Sequence, residues 1–251
     1  EIAQCLVGSE MCIRDRGYID LLTRLDLGKR GALYLDHMKS SADHLLELVT
    51  DLLDFYKLDS NKVAVNRIAF SPADLFTAVC TGFEPVAAAK GIELRCTLAA
   101  ELSGQVAGDP SRVRQIAENL LSNAIKYTPE GGKISLTINE LKSELPTKGN
   151  YEFIFTDNGI GMPDEYMQHI FEPFARAKDE SISKIQGTGL GLAITQNIVQ
   201  MMNGTIEVQS RPGTGSIFTV SVPLELQLKE EQEHEAVSYT HLRAHETLSD
   251  L

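Results

Sequence analysis

Apolar residues recur at alternating spacings of three and four along the first part of the chain. The seam runs through Leu35, Met38, Ala42, Leu45, Val49, Leu52 and Tyr56. Such a strict repeat is typical of a coiled coil and predicts one long helix of a bundle. A shorter helical piece, Gly17 to Leu25, precedes it, and Gly28 to Gly31 can form the turn of a helical hairpin. Two hairpins would close a four-helix bundle, so a homodimer is expected; packing of the hairpin on the chain's own second domain is the alternative.

Beyond Asp59 the pattern changes to alternating strands and amphipathic helices. Ser71-Pro72 and Asp109-Pro110 each place a capping side chain and a proline at the start of a helix. Predicted helices run from Ser71 to about Lys90, from Ser111 to Tyr127 and from Leu190 to Met202. Predicted strands cover Val63–Phe70, Ile92–Leu98, Lys133–Asn139, Tyr151–Thr156, Thr205–Gln209 and Ser216–Leu224. This order predicts an α/β domain with a mixed sheet rather than a doubly wound one.

Composition narrows the choice of partners and compartment. The 251 residues include 23 Lys plus Arg and 35 Asp plus Glu, a net charge of -12 that argues against nucleic acid or an anionic membrane as the main partner. No stretch approaches the ~20 apolar residues that cross a bilayer, so a cytoplasmic location is expected, with anchoring of a longer parent protein left open. The cysteines form no C-x-x-C pair, which predicts reduced thiols rather than a zinc site or a disulfide framework. They are Cys5, Cys12, Cys80 and Cys96.

The two ends of the chain resemble a translated sequencing-library adapter. One set of codons for Val237 to Thr247 encodes Leu6 to Asp15 on the complementary strand. We therefore leave residues 1–16 and 237–251 out of the fold prediction. The expected divisions between them are 17–58 for a truncated dimerisation hairpin, 59–70 for a linker and first strand, 71–227 for the α/β domain and 228–236 for a charged tail.

A helix face with two amides and a cation is the first candidate site. Asn119 and Asn123 are four residues apart and share a face with Lys126. Mg²⁺ is usually held by one or two protein oxygens together with phosphates and water. The three side chains therefore suit a magnesium-bound polyphosphate; an ordinary solvated helix face is the alternative.

Three glycine-containing segments are further candidates. Asp157 directly follows a strand and can accept a hydrogen bond from an adenine amino group, while Gly159 and Gly161 let backbone approach the ring. Gly187 to Leu192 precedes a helix whose free N–H groups favour phosphate, although its spacing fits neither a P-loop nor the dinucleotide fingerprint. Pro212 to Ser216 is equally consistent with a simple hairpin turn.

Taken in order, these segments resemble the motif boxes of sensor histidine kinases. The matching segments are NLLSNAIKYT, DNGIGM, FEPF at Phe171 to Phe174, GTGLGL and PGTGSIF. The resemblance extends from about Gly17 to Pro223. It implies an α+β two-layer sandwich of the Bergerat type, shared with DNA gyrase and mismatch-repair ATPases, with a flexible lid from Met162 to Gly187. It also implies that the helical hairpin is the dimerisation and phosphoacceptor element, and that a response-regulator receiver domain is the downstream partner.

The same resemblance implies roles for individual residues. Asp157 would bind adenine, Asn123 would hold Mg²⁺, and Lys126 and Arg176 would bind the phosphates of ATP. Asn119, Lys126 and Arg176 are the expected catalytic residues. The implied nucleotide-binding set is Asn119, Asn123, Lys126, Tyr127, Asp157, Gly159, Gly161, Gly187, Thr188, Gly189, Leu190 and Gly191.

Two other functions compete with a protein-histidine kinase. A gyrase-like ATPase would place a general-base glutamate one turn before the magnesium ligand, where this chain has Asn119; the adjacent Glu118 is turned away by ~100°. A non-catalytic ATP-binding scaffold is the other. The family's H-E-x-R-T-P acceptor box would fall near Leu6, inside the adapter-like segment, so this chain lacks it. None of the histidines matches that box: His37, His44, His169, His234, His241 and His245. The chain is therefore expected to bind ATP without phosphorylating itself.

Overall fold

The computed structural model describes residues 22, 28–59, 66–99, 102, 104–141, 148–175 and 187–226. It begins with a long helix, α1 (Gly28–Asp59), as the seam predicts. The elements that follow are β1 (Ile68–Phe70), α2 (Pro72–Ala89), β2 (Glu93–Leu98), β3 (Val106–Gly108), α3 (Pro110–Tyr127), β4 (Lys133–Leu141), β5 (Lys148–Asp157), α4 (Asp164–Met167), α5 (Gly191–Met201), β6 (Thr205–Arg211) and β7 (Gly215–Leu226).

Within the described residues, the strands form one mixed sheet. The order is β1-β3-β7-β5-β4-β2, and β6 also pairs with β7. β2 and β4 run parallel, while the other pairs are antiparallel. The central β5–β7 pair extends from Lys148 opposite Glu225 to Asp157 opposite Ser216. The mixed sheet with interspersed helices confirms the predicted α/β class.

Local capping determines where two of the helices start. The Ser71 hydroxyl accepts a hydrogen bond from the N–H of Asp74 at 3.2 Å, which opens α2. Asp109 Oδ1 accepts from the N–H groups of Ser111 and Arg112 at 3.1 and 3.2 Å, which opens α3. Each side chain satisfies N–H groups that the first turn leaves without a partner. Both predicted N-caps are therefore confirmed.

The core lies between one face of the sheet and the helices α2, α3 and α5. Alternate residues of β4, Ile134, Leu136 and Ile138, are buried, and Leu120 and Leu121 of α3 pack in the same cluster. The residues between them in β4 are polar and less buried, as expected for a sheet with one covered face. This two-layer packing brings the end of α3, the end of β5 and the start of α5 together at one rim.

Helix α1 divides the seam between two environments. Near its C-terminal end Leu52 of the seam and Phe55, which lies off the seam, pack against the core of the α/β domain, so the alternative of packing on the chain's own domain is confirmed for this end. The last seam residue, Tyr56, is 63% exposed. Farther back, Met38 and Leu45 are 54% and 49% exposed. The predicted turn at Gly28–Gly31 is wrong because α1 already begins at Gly28. A helix tolerates an isolated glycine at a cost of about 1 kcal/mol, so glycines alone do not establish a turn.

Other predictions need correction. β3 and α4 were not predicted, and the first strand starts at Ile68, because the preceding residues 66 and 67 are not in a strand. Cys80 of α2 and Cys96 of β2 are joined by a disulfide with Cα atoms 6.5 Å apart, so the prediction of reduced thiols is wrong for this pair. The packing of α2 on β2 brings them together, and their separation of 16 residues forms no recognisable motif.

Several predicted segments lie outside the described residues. These are the adapter-like ends, the charged tail and, apart from residue 22, the short helical piece at 17–25. Among the helices that the structure describes, none combines the length and apolar character that crossing a membrane requires.

Candidate functional site

A cavity opens at the rim where α3, β5 and α5 meet, and we refer to it as the rim cavity. Its wall includes most of the residues that the sequence singled out for nucleotide binding. They are Asn119, Asn123, Lys126, Tyr127, Asp157, Gly161, Gly187, Thr188, Gly189 and Gly191. Of the other predicted residues, Gly159 and Leu190 lie outside the wall, and Arg176 lies outside the described residues. The fold thus brings together three segments that are far apart in the chain.

Asp157 provides a half-buried acceptor at the end of β5. Its Oδ1 accepts a hydrogen bond from the N–H of Gly159 at 2.8 Å. Burial raises the pKa of the Asp157 carboxyl above its ordinary value, and backbone hydrogen bonds from Gly159 and Ser216 oppose that rise. A carboxylate held in this way retains lone pairs that can accept a hydrogen bond from a ligand's amino group.

Two glycine positions let the loop after β5 pack directly on its neighbours, the β6–β7 turn and the end of α3. Gly161 has φ +66°, and a Cβ there would overlap the carbonyl oxygen of Arg211. The N–H of Gly213 donates to the carbonyl of Ile160 at 2.7 Å. Gly159 stands outside the wall, yet a Cβ on it would lie 2.6 Å from the carbonyl oxygen of Tyr127. Pro212 to Ser216 is therefore a hairpin turn that also supports the loop beside Asp157.

The polar face of α3 forms one side of the rim cavity. Asn119 Nδ2 donates to the carbonyl of Gly191 at 3.2 Å and to Thr195 Oγ1 at 3.3 Å, which ties α3 to the first turn of α5. One turn later Asn123 reaches the cavity, and Lys126 Nζ lies against Gly187, where a side chain would displace it. The face therefore presents an amide and an ammonium group to one end of the cavity.

Lys90 supports this face, and sequence reasoning missed it. Its Nζ donates to the carbonyls of Ile125 at 2.6 Å and Lys126 at 2.9 Å. These carbonyls belong to the last turn of α3, which a helix leaves without internal partners. A lysine near the end of a predicted helix gives no signal of such a role, because only the packing of α2 beside α3 places it there.

The loop before α5 forms the opposite side of the cavity. Leu190, which the resemblance placed among the binding residues, is fully buried in the core and anchors the loop instead. Within the described structure, α5 has no side-chain cap at its start, so its first-turn N–H groups are available to an anion. The N–H of Phe174 donates to the carbonyl of Gly189 at 3.0 Å, which joins the FEPF segment to this loop.

Helix α1 contributes two acidic residues to the same wall, and these were also missed. Glu47 and Asp51 line the rim cavity. Burial raises the pKa of the Asp51 carboxyl, a hydrogen bond from Thr188 opposes this, and the charges of Glu47 and Asp54 add to the rise. The signal available in the sequence was the series of acids at 47, 51 and 54, which places one acidic stripe along α1.

The segment predicted to be a lid is partly packed. Residues 164–167 form α4, Ile170 is 2% exposed, and the Tyr166 hydroxyl donates to the carbonyl of Ala175 at 3.3 Å. The first half of the implied lid therefore contains packed residues, because Ile170 belongs to the core cluster and Met162, Tyr166 and Phe171 pack against it. Residues 176–186, including Arg176, lie outside the described residues.

Glu118 is not positioned to act as a base in the rim cavity. It is exposed, and its Oε1 lies 3.9 Å from Nη1 of Arg114 on the outer face of α3. This agrees with the ~100° turn per residue that separates it from Asn119. Among the described residues, no cluster of three His, Cys, Asp or Glu side chains could hold a metal.

Comparisons with known proteins place this geometry in context. Residues 108–226 match the family described as histidine kinase-, DNA gyrase B-, and HSP90-like ATPase. The chain is 34% identical over 228 residues to the sensor protein GacS of Pseudomonas syringae pv. syringae, covering 91% of this chain and 25% of GacS. It is 35% identical over 209 residues to the sensor histidine kinase RcsC of Escherichia coli (strain K12), covering 83% of this chain and 21% of RcsC.

A solved structure extends the likeness to three dimensions. Full-length ShkA in complex with AMPPNP matches with a TM-score of 0.74 and 28% identity, over 90% of this chain and 46% of ShkA. This confirms the predicted α/β sandwich with a preceding helix. The chain spans about a quarter of the length of the curated relatives described above.

Proposed function

We propose that this chain, which contains the ATP-binding catalytic part of a sensor histidine kinase, binds Mg-ATP in the rim cavity and transfers its γ-phosphoryl group to a histidine. The phosphoryl group would then pass to an aspartate of a response-regulator receiver domain. The observation that carries the proposal is the arrangement of the cavity. A half-buried carboxylate, Asp157, lies in the same wall as Asn123, Lys126 and the uncapped start of α5.

Each side chain has a role that follows from its chemistry. Asp157 accepts a hydrogen bond from the adenine amino group, and the glycines beside it let its loop pack closely on the β6–β7 turn and on the end of α3. Asn123 offers an amide oxygen to Mg²⁺, which reduces the repulsion within the triphosphate. Lys126 and the N–H groups of α5 bind the phosphates, with Arg176 proposed as a second cation. Since phosphoryl transfer depends mainly on positioning and charge stabilisation, this set is sufficient for the donor side of the reaction.

The chemistry favours a kinase over a water-activating ATPase. Asn119 occupies the place where a gyrase-like enzyme would have its base, and an amide cannot accept a proton. Its Nδ2 donates to Gly191 and Thr195, so it acts as a brace between α3 and α5. Glu118 faces away from the cavity toward Arg114. An acceptor histidine supplied outside the rim cavity therefore fits better than an activated water.

The proposed binding is tested by calorimetry on the full chain. Mg-ATP should bind, and GTP should bind at least about tenfold more weakly, because guanine carries a carbonyl where adenine has its amino donor. Removing Mg²⁺ with EDTA should weaken the binding of ATP, because phosphate would then meet the site without its counter-ion. Equal affinity for ATP and GTP would contradict the role of Asp157, and absence of ATP binding would contradict the proposed function.

A further inference from the structure

Thr188 has one hydroxyl proton, which it already donates in a hydrogen bond to helix α1. Thr188 Oγ1 accepts a hydrogen bond from the N–H of Leu190 at 3.2 Å and donates its own proton to Asp51 Oδ2 at 2.8 Å. A hydroxyl is a single donor, so it cannot donate at the same time to a carboxylate and to a phosphate oxygen. Thr188 lies in the loop before α5, on the side of the cavity that we assign to phosphate.

Two carboxylates and an ammonium group lie near this contact. Glu47 and Asp51 both line the rim cavity, and Lys126 reaches the same loop, with its Nζ against Gly187. Burial raises the pKa of Asp51, which indicates that its carboxylate is only partly hydrated and weakly screened. A triphosphate that reached Thr188 would therefore encounter a carboxylate that competes for the hydroxyl and also repels the incoming charge.

We propose that Asp51 is a further determinant of nucleotide binding: its carboxylate competes with the phosphates of the nucleotide for the Thr188 hydroxyl. This inference rests on the proposed function, because it needs phosphate to approach the loop before α5. Docking of α1 and binding of the polyphosphate then oppose each other. By thermodynamic reciprocity, nucleotide weakens the hold of α1 on this loop by the same factor by which docked α1 weakens nucleotide binding.

The test compares Asp51→Ala with Asp36→Ala in the full chain, using Mg-ATP and adenosine as probes in calorimetry. Asp36 is exposed on the same helix, about 22 Å from Asp51 at 1.5 Å per residue. Asp36→Ala therefore changes the net charge as Asp51→Ala does, without removing the contact with Thr188. Asp51→Ala should bind Mg-ATP about tenfold more tightly, the size expected when a charge-assisted hydrogen bond no longer has to be broken. Adenosine, which has no phosphate, should bind both variants as it binds the original chain.

A double-mutant cycle with Thr188→Val isolates the hydroxyl. Without the hydroxyl there is no shared donor. The gain in Mg-ATP affinity caused by Asp51→Ala should therefore be smaller by a factor of about three or more in the Thr188→Val background than in the original chain. Unchanged or weaker Mg-ATP binding by Asp51→Ala in the original background would overturn the inference, as would an equal gain for adenosine. These failures differ from failure of the proposed function, in which the original chain would not bind Mg-ATP at all.

Discussion

At the scale of the residue, Asp157 is positioned for binding in a way that lowers the free energy of unfolding of the nucleotide-free protein. Burial raises its pKa, so the folded protein holds a proton on this carboxyl at pH values where the unfolded chain has lost it. The contribution of Asp157 to the free energy of unfolding therefore falls as pH rises from its pKa in the unfolded chain to its pKa in the folded protein. At neutral pH the ionised carboxylate destabilises the nucleotide-free fold. The hydrogen bond from Gly159 offsets part of that destabilisation.

Asp157→Asn should therefore have opposite effects on stability and on binding. Removing the buried charge should raise the unfolding midpoint of the nucleotide-free protein at pH 7, measured by calorimetric melting. The affinity for Mg-ATP should fall about thirtyfold, since a buried charge-assisted hydrogen bond is worth about 2 kcal/mol. Asp164→Asn, at an exposed position, is the matched control and should change neither quantity appreciably. Unchanged ATP affinity in Asp157→Asn would refute the adenine assignment.

At the scale of the element, α3 carries one whole side of the rim cavity and is held at both ends by polar contacts. Asp109 caps its start, and Lys90 binds the last carbonyls at its end. A cation near a helix C-terminus also interacts favourably with the helix dipole. Since Lys126 belongs to that last turn, the position of its ammonium group depends on a residue of another helix.

Replacing Lys90 should loosen the end of α3 without removing any group from the cavity wall. Lys90→Met should lower the free energy of unfolding by about 1 to 2 kcal/mol, because two carbonyls lose a charged donor. Lys133→Met is the matched control. Lys133 Nζ lies 3.1 Å from Glu93 Oε2, but the Lys133 side chain is 70% exposed, so the loss should be clearly smaller than that of Lys90→Met. Urea unfolding of both variants checks the comparison, and equal losses would show that Lys90 has no special role.

At the scale of the whole molecule, two parts of α1 have different surroundings. Its C-terminal end packs on the α/β domain through Leu52 and Phe55, while part of the seam farther back is open to solvent. Exposed apolar residues at regular helical spacing favour a partner helix. We propose a homodimer that buries this part of the seam.

Leu45→Asp should convert that dimer to a monomer, because a carboxylate would replace an apolar side chain at a buried layer. His37→Asp, exposed and off the seam, is the control and should leave the dimer intact. Analytical ultracentrifugation of the three proteins distinguishes the outcomes. A monomeric original chain would refute the proposed dimer.

Autophosphorylation is also a property of the whole molecule. We expect the chain to bind ATP yet to retain no label from γ-labelled ATP, because in-line placement of an acceptor is worth ~7 to 11 kcal/mol and no histidine matches the acceptor box. His37 is exposed on α1, and His44 Nδ1 lies 3.7 Å from Glu47 Oε2. Acid-labile, base-stable label that disappears in His37→Ala or His44→Ala would contradict this prediction.

Local sequence determined much of the architecture and of the candidate site. The N-caps at Ser71 and Asp109, the helical repeat of α1 and the alternation of β4 depend on interactions between near neighbours, so their pattern can be recognised in one dimension. The amides of α3 and the glycine segments around Asp157 and Gly187 could be singled out for the same reason. Their chemistry is carried by residue type and spacing.

Only the tertiary structure decided which distant groups meet. The disulfide between Cys80 and Cys96, the hold of Lys90 on α3 and the contact of Asp51 with Thr188 each join segments whose separation along the chain has no periodic meaning. The short strand β3 likewise exists because β1 and the end of β7 offer it free edges. Local spacing encodes how a segment folds and what chemistry it carries, whereas these contacts depend on how the layers pack, which the spacing does not contain.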